Sequence, residues 1–180
     1  MHPLRRALVR LIDAAGALGA FCVFCIFVLM IIAGVGRQLN LQVSGVNDVV
    51  AWLCAAAAFF AMAHAFRHGD FVRVTLLLEA VSPRVRRGLD VTCLVIAAIA
   101  VAYLTYWATA FTWDSFQFNE VATGLVAIPI WMPQSTFVIG CWLLLAAVLE
   151  DLFTVLQGGT PSFQRAVEER HAKGDFSSDV

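Results

Sequence analysis

From residue 14 to residue 36 the chain reads AAGALGAFCVFCIFVLMIIAGVG, 23 residues without a charge, bounded by Asp13 and Arg37. Coiled as an α-helix, the run is about 35 Å long. That is enough to cross a hydrocarbon core of about 30 Å, which takes around 20 apolar residues. A secretory signal carries an apolar stretch of only about 7–15 residues with a small-residue cleavage site after it. The run therefore reads as an uncleaved signal anchor, even though Arg5, Arg6 and Arg10 precede it.

The same measurement finds three more spans. Between Asp48 and Arg67 lie 18 uncharged residues, Val49 to Phe66, interrupted only by His64; between Asp90 and Asp114 lie 23, Val91 to Trp113. The interval from Val121 to Glu150 is longer than one span, and Pro129 and Pro133 divide it, which puts the start of the fourth span near Trp131 and its end near Phe153. The expected spans are thus about 14–36, 49–66, 88–112 and 131–153. Hydrophobic residues make up 61% of the chain and charged ones 14%, against roughly 45–50% and about 25% in soluble domains. Lipid is the solvent. Each run must be helical, because a lone strand would leave its peptide groups unpaired in hydrocarbon, and none alternates with the period of a barrel strand.

Charge placement predicts the orientation. Arg5, Arg6 and Arg10 precede span one; Arg67, Arg73, Arg84, Arg86 and Arg87 follow span two; Arg165, Arg170 and Lys173 follow span four. Eleven of the twelve basic residues therefore fall on one side, which the positive-inside rule assigns to the cytoplasm. The expectation is an all-α membrane protein of four transmembrane helices, N-in and C-in. It has a cytoplasmic N-terminus over 1–13, a membrane domain over 14–156 and a polar, disordered cytoplasmic tail over 157–180, entered through Gly158-Gly159-Thr160-Pro161. Trp107, Trp113 and Trp131, with Trp52, fall where an outer aromatic belt would lie.

The connecting segments carry signals of their own. Phe71, Val74, Leu77, Leu78 and Val81 recur at helical spacing with Arg73 and Glu79 off the stripe, which predicts a short amphipathic helix in the headgroup layer between spans two and three. Ser82-Pro83 reads as a cap and first helical residue of span three. Arg84, Arg86 and Arg87 in its first turns oppose the helix dipole, yet suit anionic lipid phosphates. With Arg67 and Arg73 they form the expected membrane-surface anchors. On the outer side, Arg37 and Asp48 bound a short loop with Gly45 and Asn47 as turn formers, where they are expected either to form an ion pair or to stand as two separately solvated interfacial charges.

Chemistry is sparse. Cys22, Cys25, Cys54, Cys93 and Cys141 all sit in apolar runs, an odd number that argues against a disulfide framework. Cys22 and Cys25 form a C-x-x-C mid-span, where a thiolate is disfavoured. His64 and His68 share a helix face near Asp70, but a haem in a bundle needs converging axial ligands, and His2 and His171 lie outside the spans. No acid or base sits in a span interior, where ion and proton pathways expose ionisable groups. No nucleophile and base constellation is present, so neither catalysis nor a cofactor is expected. With net charge -1 and no basic face, nucleic acid is not a partner. Small residues at Gly16 and Ala20, at Ala51, Ala55 and Ala58, and at Ala61 and Ala65 permit close helix packing.

Four features in order resemble the small permease subunit of tripartite ATP-independent periplasmic (TRAP) transporters, the DctQ-like family, over Leu11 to Leu156. They are Arg37 closing span one, Ser44-Gly45-Val46-Asn47-Asp48 opening span two, and Arg67-His68-Gly69-Asp70-Phe71-Val72-Arg73-Val74 running through Leu76-Leu77-Leu78 to Ser82-Pro83-Arg84-Val85-Arg86-Arg87. The fourth is Ile128-Pro129-Ile130-Trp131-Met132-Pro133-Gln134 opening span four. The chain departs from the family at Asn47, where a second acid is common, and at Thr75, where an acid often stands.

The resemblance implies a bacterial or archaeal cytoplasmic-membrane complex. In it a large permease subunit carries substrate and sodium, a periplasmic solute-binding protein delivers organic acids, and the small subunit braces the large one. On that reading the outer residues Arg37, Asp48, Asp114, Glu120, Pro129, Trp131 and Pro133 are the candidate partner interface. A haem-bearing membrane anchor of an oxidoreductase and a stand-alone small channel or exporter are the competing readings.

Overall fold

The computed structural model describes residues 3–41, 44–71 and 82–172. Among them are five helices: α1 (Pro3–Gln38), α2 (Val46–His68), α3 (Pro83–Gln117), α4 (Trp131–Leu156) and α5 (Ser162–Ala172). The first four are long and apolar enough to cross a membrane. The chain is an all-α, multi-pass membrane protein with the expected number of spans. Of the amphipathic helix expected between spans two and three, Val74, Leu77, Leu78 and Val81 lie outside the described residues.

The helices overshoot the expected spans. With 36 residues in α1 and 35 in α3, each is over 50 Å long at about 1.5 Å per residue. Several turns of both therefore stand beyond a hydrocarbon core of about 30 Å. A charge-free interval marks where a helix meets lipid, whereas the helix itself continues wherever its hydrogen bonds do. α3 starts at Pro83 after an extended Ser82, with φ −61° and ψ 151°, as the Ser-Pro signal predicts. α2 ends at Gly69, whose φ of 75° lets its N–H reach the Phe66 carbonyl while the Asp70 N–H reaches that of Ala65. This paired ending satisfies carbonyls that would otherwise face the membrane surface bare.

Within the tail expected to be disordered over 157–180, the structure corrects the expectation for residues 162–172. Residues 162–172 form α5, with Ser162 and Phe163 buried at its start. Phe163 packs edge-on against Phe66 at 6.0 Å between ring centroids. Composition alone hides this docking, because a few specific contacts, this buried aromatic among them, decide it.

The principal packing runs from α1 to α2, from α2 to α4 and from α4 to α3, with α5 against α2. α2 and α4 are the inner pair and α1 and α3 the flanks. In their most apolar stretches 39% of α4 is buried, but only 11% of α3 and 6% of α1. The flanking helices therefore keep most of their apolar surface for lipid or for other protein. The buried cluster of Ile12, Ala63, Phe66, Leu94, Ala98, Leu144, Ala147, Val148, Val155 and Phe163 lies toward the arginine-rich end.

Helices in lipid gain little from hiding apolar surface from water, so their association rests on close packing. Gly140 of α4 stands against the backbone of α2: a methyl group there would meet the Phe59 carbonyl oxygen at 2.6 Å. Phe59 and Phe137 pack edge to face beside it at 4.2 Å. Between α1 and α2, a methyl on Gly19 would meet the Ala57 oxygen at 3.1 Å, and one on Gly16 the His64 ring at 2.8 Å. Of the small residues singled out in the sequence, Gly16 and Ala61 are at this contact, and Gly19 and Gly140 complete the set. Gly140→Ala is expected to lower stability in detergent by roughly 1–3 kcal/mol through overpacking, as followed by thermal unfolding. Gly34→Ala, where the added methyl meets nothing within 4 Å, is expected to melt like the parent.

Candidate functional site

With the middle of each span free of Asp, Glu, Lys and Arg, polar chemistry gathers at the two ends of the helix row. At the acidic end, residues 118–130 fold back as a short hairpin-like flap. Ala122 N–H donates to the Ile128 carbonyl and Ile130 N–H to that of Glu120, with a single antiparallel bridge between Val121 and Pro129. Asp48, in the first turn of α2, holds the tip: its Oδ2 accepts from Leu125 N–H at 2.7 Å and Val126 N–H at 3.4 Å. Gly124 leaves the room for this, since a methyl there would collide with the Asp48 carboxylate. The Glu120 carboxylate accepts from the buried Ser115 hydroxyl at 2.8 Å and pins the flap's base to α3.

The expected Arg37–Asp48 ion pair is therefore corrected: the Asp48 carboxylate faces peptide N–H groups of the flap instead. Arg37 and Asp48 line the same open cavity of about 520 Å³, with Asn40, Ser44 and Asn47. Among the other outer candidates, Asp114 is exposed near the end of α3. Trp131 packs edge-on against Phe116 at 5.6 Å, and Phe116 lies 6.0 Å from Trp113, so the aromatic belt is linked through a phenylalanine. Pro129 and Pro133 accept backbone and side-chain hydrogen bonds at the start of α4, from Met132 N–H and the Thr136 hydroxyl. Asp48, Glu120 and Pro129 are thus brought together by the flap.

The opposite end holds what sequence reading missed. Glu150 lies inside α4, clamped between Arg5 Nε at 2.6 Å and Arg67 Nη1 at 2.7 Å, so that one carboxylate joins α1, α2 and α4. Next to it Asp151, 1% exposed, accepts from the Ser162 N–H at 2.9 Å and its hydroxyl at 2.7 Å and so caps α5. Arg170 of α5 reaches back to Asp70 at 2.9 Å and to the His68 carbonyl at 2.5 Å, and Gln164 donates to Asp90 at 3.0 Å. The signal was present as an acid pair inside the fourth span, but charge counting treats it as a boundary.

This corrects one expected surface anchor. Arg67, with its side chain 12% exposed, turns inward to Glu150. Arg87 donates to the carbonyls of Val155 and Leu156, so an arginine unfavourable to its own helix serves the negative end of α4. Arg86 is exposed, while Arg73 and the side chain of Arg84 lie outside the described residues.

His64 and His68 stack at 4.0 Å between centroids. Asp13 comes to them from α1, its Oδ1 3.4 Å from His64 Nδ1. The ligating atoms of the three lie within 4.8 Å of one another, a spacing compatible with a shared metal ion. Stacked on one face of one helix, the two imidazoles are not placed as opposed axial ligands of a haem. Cys22 and Cys25 are free thiols.

A family model described as "Tripartite ATP-independent periplasmic transporters, DctQ component" matches residues 26–158, well over half of the chain. No curated protein matches it.

Glu150→Gln is expected to leave Arg5 and Arg67 with a weaker shared acceptor. It should cost roughly 1–3 kcal/mol, read as a lower unfolding temperature in detergent. Asp151→Ala is expected to free α5, seen as faster tryptic cleavage at Arg165 and Arg170 with the four spans still intact.

Proposed function

The chain belongs to the family of DctQ components of tripartite ATP-independent periplasmic transporters, a transporter-component family and not an enzyme family, and from this we propose how it serves such a transporter. As the small membrane subunit, it braces the large permease subunit during sodium-coupled uptake of organic acids that a periplasmic binding protein delivers. It sits in the cytoplasmic membrane with both ends inside, an orientation supported by the gathering of Arg5, Arg67, Arg87, Arg165 and Arg170 at one end of the row.

The observation that carries the reading is the combination of an open row with an uncharged middle. A carrier that works alone keeps ionisable or unwound groups at mid-membrane for its substrate and coupling ion. Here the Asp, Glu, Lys and Arg residues of the four long helices stand toward their ends, and α1 and α3 offer long apolar faces that their own chain leaves uncovered. Such faces suit a second membrane subunit. The flap held by Asp48 and Glu120 is an acidic outer feature fit for docking a soluble protein.

Purification in mild detergent from cells carrying the whole transporter tests the reading: a large hydrophobic subunit should be recovered in equal amount. Recovery of this chain alone, with substrate flux in vesicles holding nothing else, would favour a stand-alone channel instead. Neutralising the outer acids as Asp114→Asn with Glu120→Gln is expected to slow uptake severalfold while membrane insertion and recovery of the large subunit stay unchanged. Unaltered uptake rates would remove the outer end from the docking surface.

A further inference from the structure

We propose that the arginine-lined pocket between α1, α2 and α5 binds the phosphate group of an anionic phospholipid. The pocket has a volume of about 440 Å³ and is walled by Arg5, Arg6, Arg10, Arg67, Arg165 and Glu169, within the roughly 300–1,000 Å³ of small-ligand sites. Its charges do not balance. Arg5 and Arg67 share the single carboxylate of Glu150, and Glu169 is the one acid on the wall against Arg6, Arg10 and Arg165.

Arg165 points to the kind of ligand. Its Nε and Nη2 are buried without a hydrogen-bond partner among the described residues, whereas Arg87 and Arg170 at the same end are engaged with carbonyls and a carboxylate. Those two nitrogens lie on one edge of the guanidinium, the edge that matches two oxygens of a phosphate in a bidentate pair; covered as they are, they meet a phosphate once the side chain turns that edge into the pocket it lines. A buried charged donor left unpaired is costly, so an anion is the natural completion of this site.

A phosphate could arrive on a lipid or free in solution, and the surroundings favour the lipid. Arg10 is four residues before the uncharged run that starts at Ala14, about 6 Å along the helix, so the pocket opens at headgroup depth. Val9 and Ala166 line it, offering acyl chains an apolar path. Basic pockets between helices on the cytoplasmic side are a recurrent headgroup site in membrane proteins. The inference uses only the pocket and the four spans, and stands whether or not the bracing role does.

Native mass spectrometry of the full chain in detergent tests it, with phosphatidylglycerol or phosphatidylcholine of matched acyl chains added at equal concentration. The parent protein is expected to retain phosphatidylglycerol preferentially. Arg165→Ala and Arg6→Ala should each weaken that retention about fivefold, as expected for one headgroup-level arginine. Arg6 is exposed, so its loss reports on binding even if Arg165→Ala disturbs α5. Equal retention of both lipids, or a preference untouched by Arg6→Ala and Arg165→Ala, would overturn the proposal. A thermal shift with millimolar inorganic phosphate that needs Arg165, without any lipid preference, would keep the anion site but overturn its assignment to a lipid.

Discussion

Hydrocarbon about 30 Å deep tolerates neither an unpaired peptide group nor an uncompensated charge, and the position of nearly every polar residue here answers to that. The four long helices satisfy their own backbones. Thr105 and Thr109, which fall within α3, return their hydroxyls to carbonyls one turn back at 2.7 Å, so they add no unmet donor. Acidic and basic residues of the spans are pushed toward the ends of the row, where the same residue types do different work. Carboxylates at one end neutralise arginines and fasten α5; at the other, Asp48 and Glu120 tie to α2 and α3 a loop that a single bridge closes on itself.

Between those ends cohesion comes from fit. Gly140 against Phe59, and Gly16 and Gly19 against His64, Ala57 and Ala61, let three helices approach until backbone meets backbone. The shared carboxylate of Glu150 then locks the same three helices where they emerge from lipid. α3 joins differently, through the Trp142 indole N–H donating to Thr109 at 3.3 Å and Arg87 capping α4. The result is a row with a firm centre and two apolar flanks, a form suited to lying between a lipid phase and a larger membrane partner, and to work in which the chain positions other subunits.

Much of this was legible in the order of residues. Spacing between charges located all four spans, because a bilayer imposes a length and a polarity that any sequence must show. Ser82-Pro83 marked the start of α3, and the motif run from Arg37 to Gln134 marked the family, since local conformation and membrane depth are both written in neighbouring residues. Pairing across the fold was not legible. That Asp48 caps the flap and not Arg37, that Arg67 turns inward to Glu150, and that Phe163 and Asp151 recruit a polar tail into α5 are all decided by which helix ends meet. Sequence spacing sets the depth of a side chain in the membrane, but its partner at that depth depends on the order of helices around it, and only the folded row determines that order.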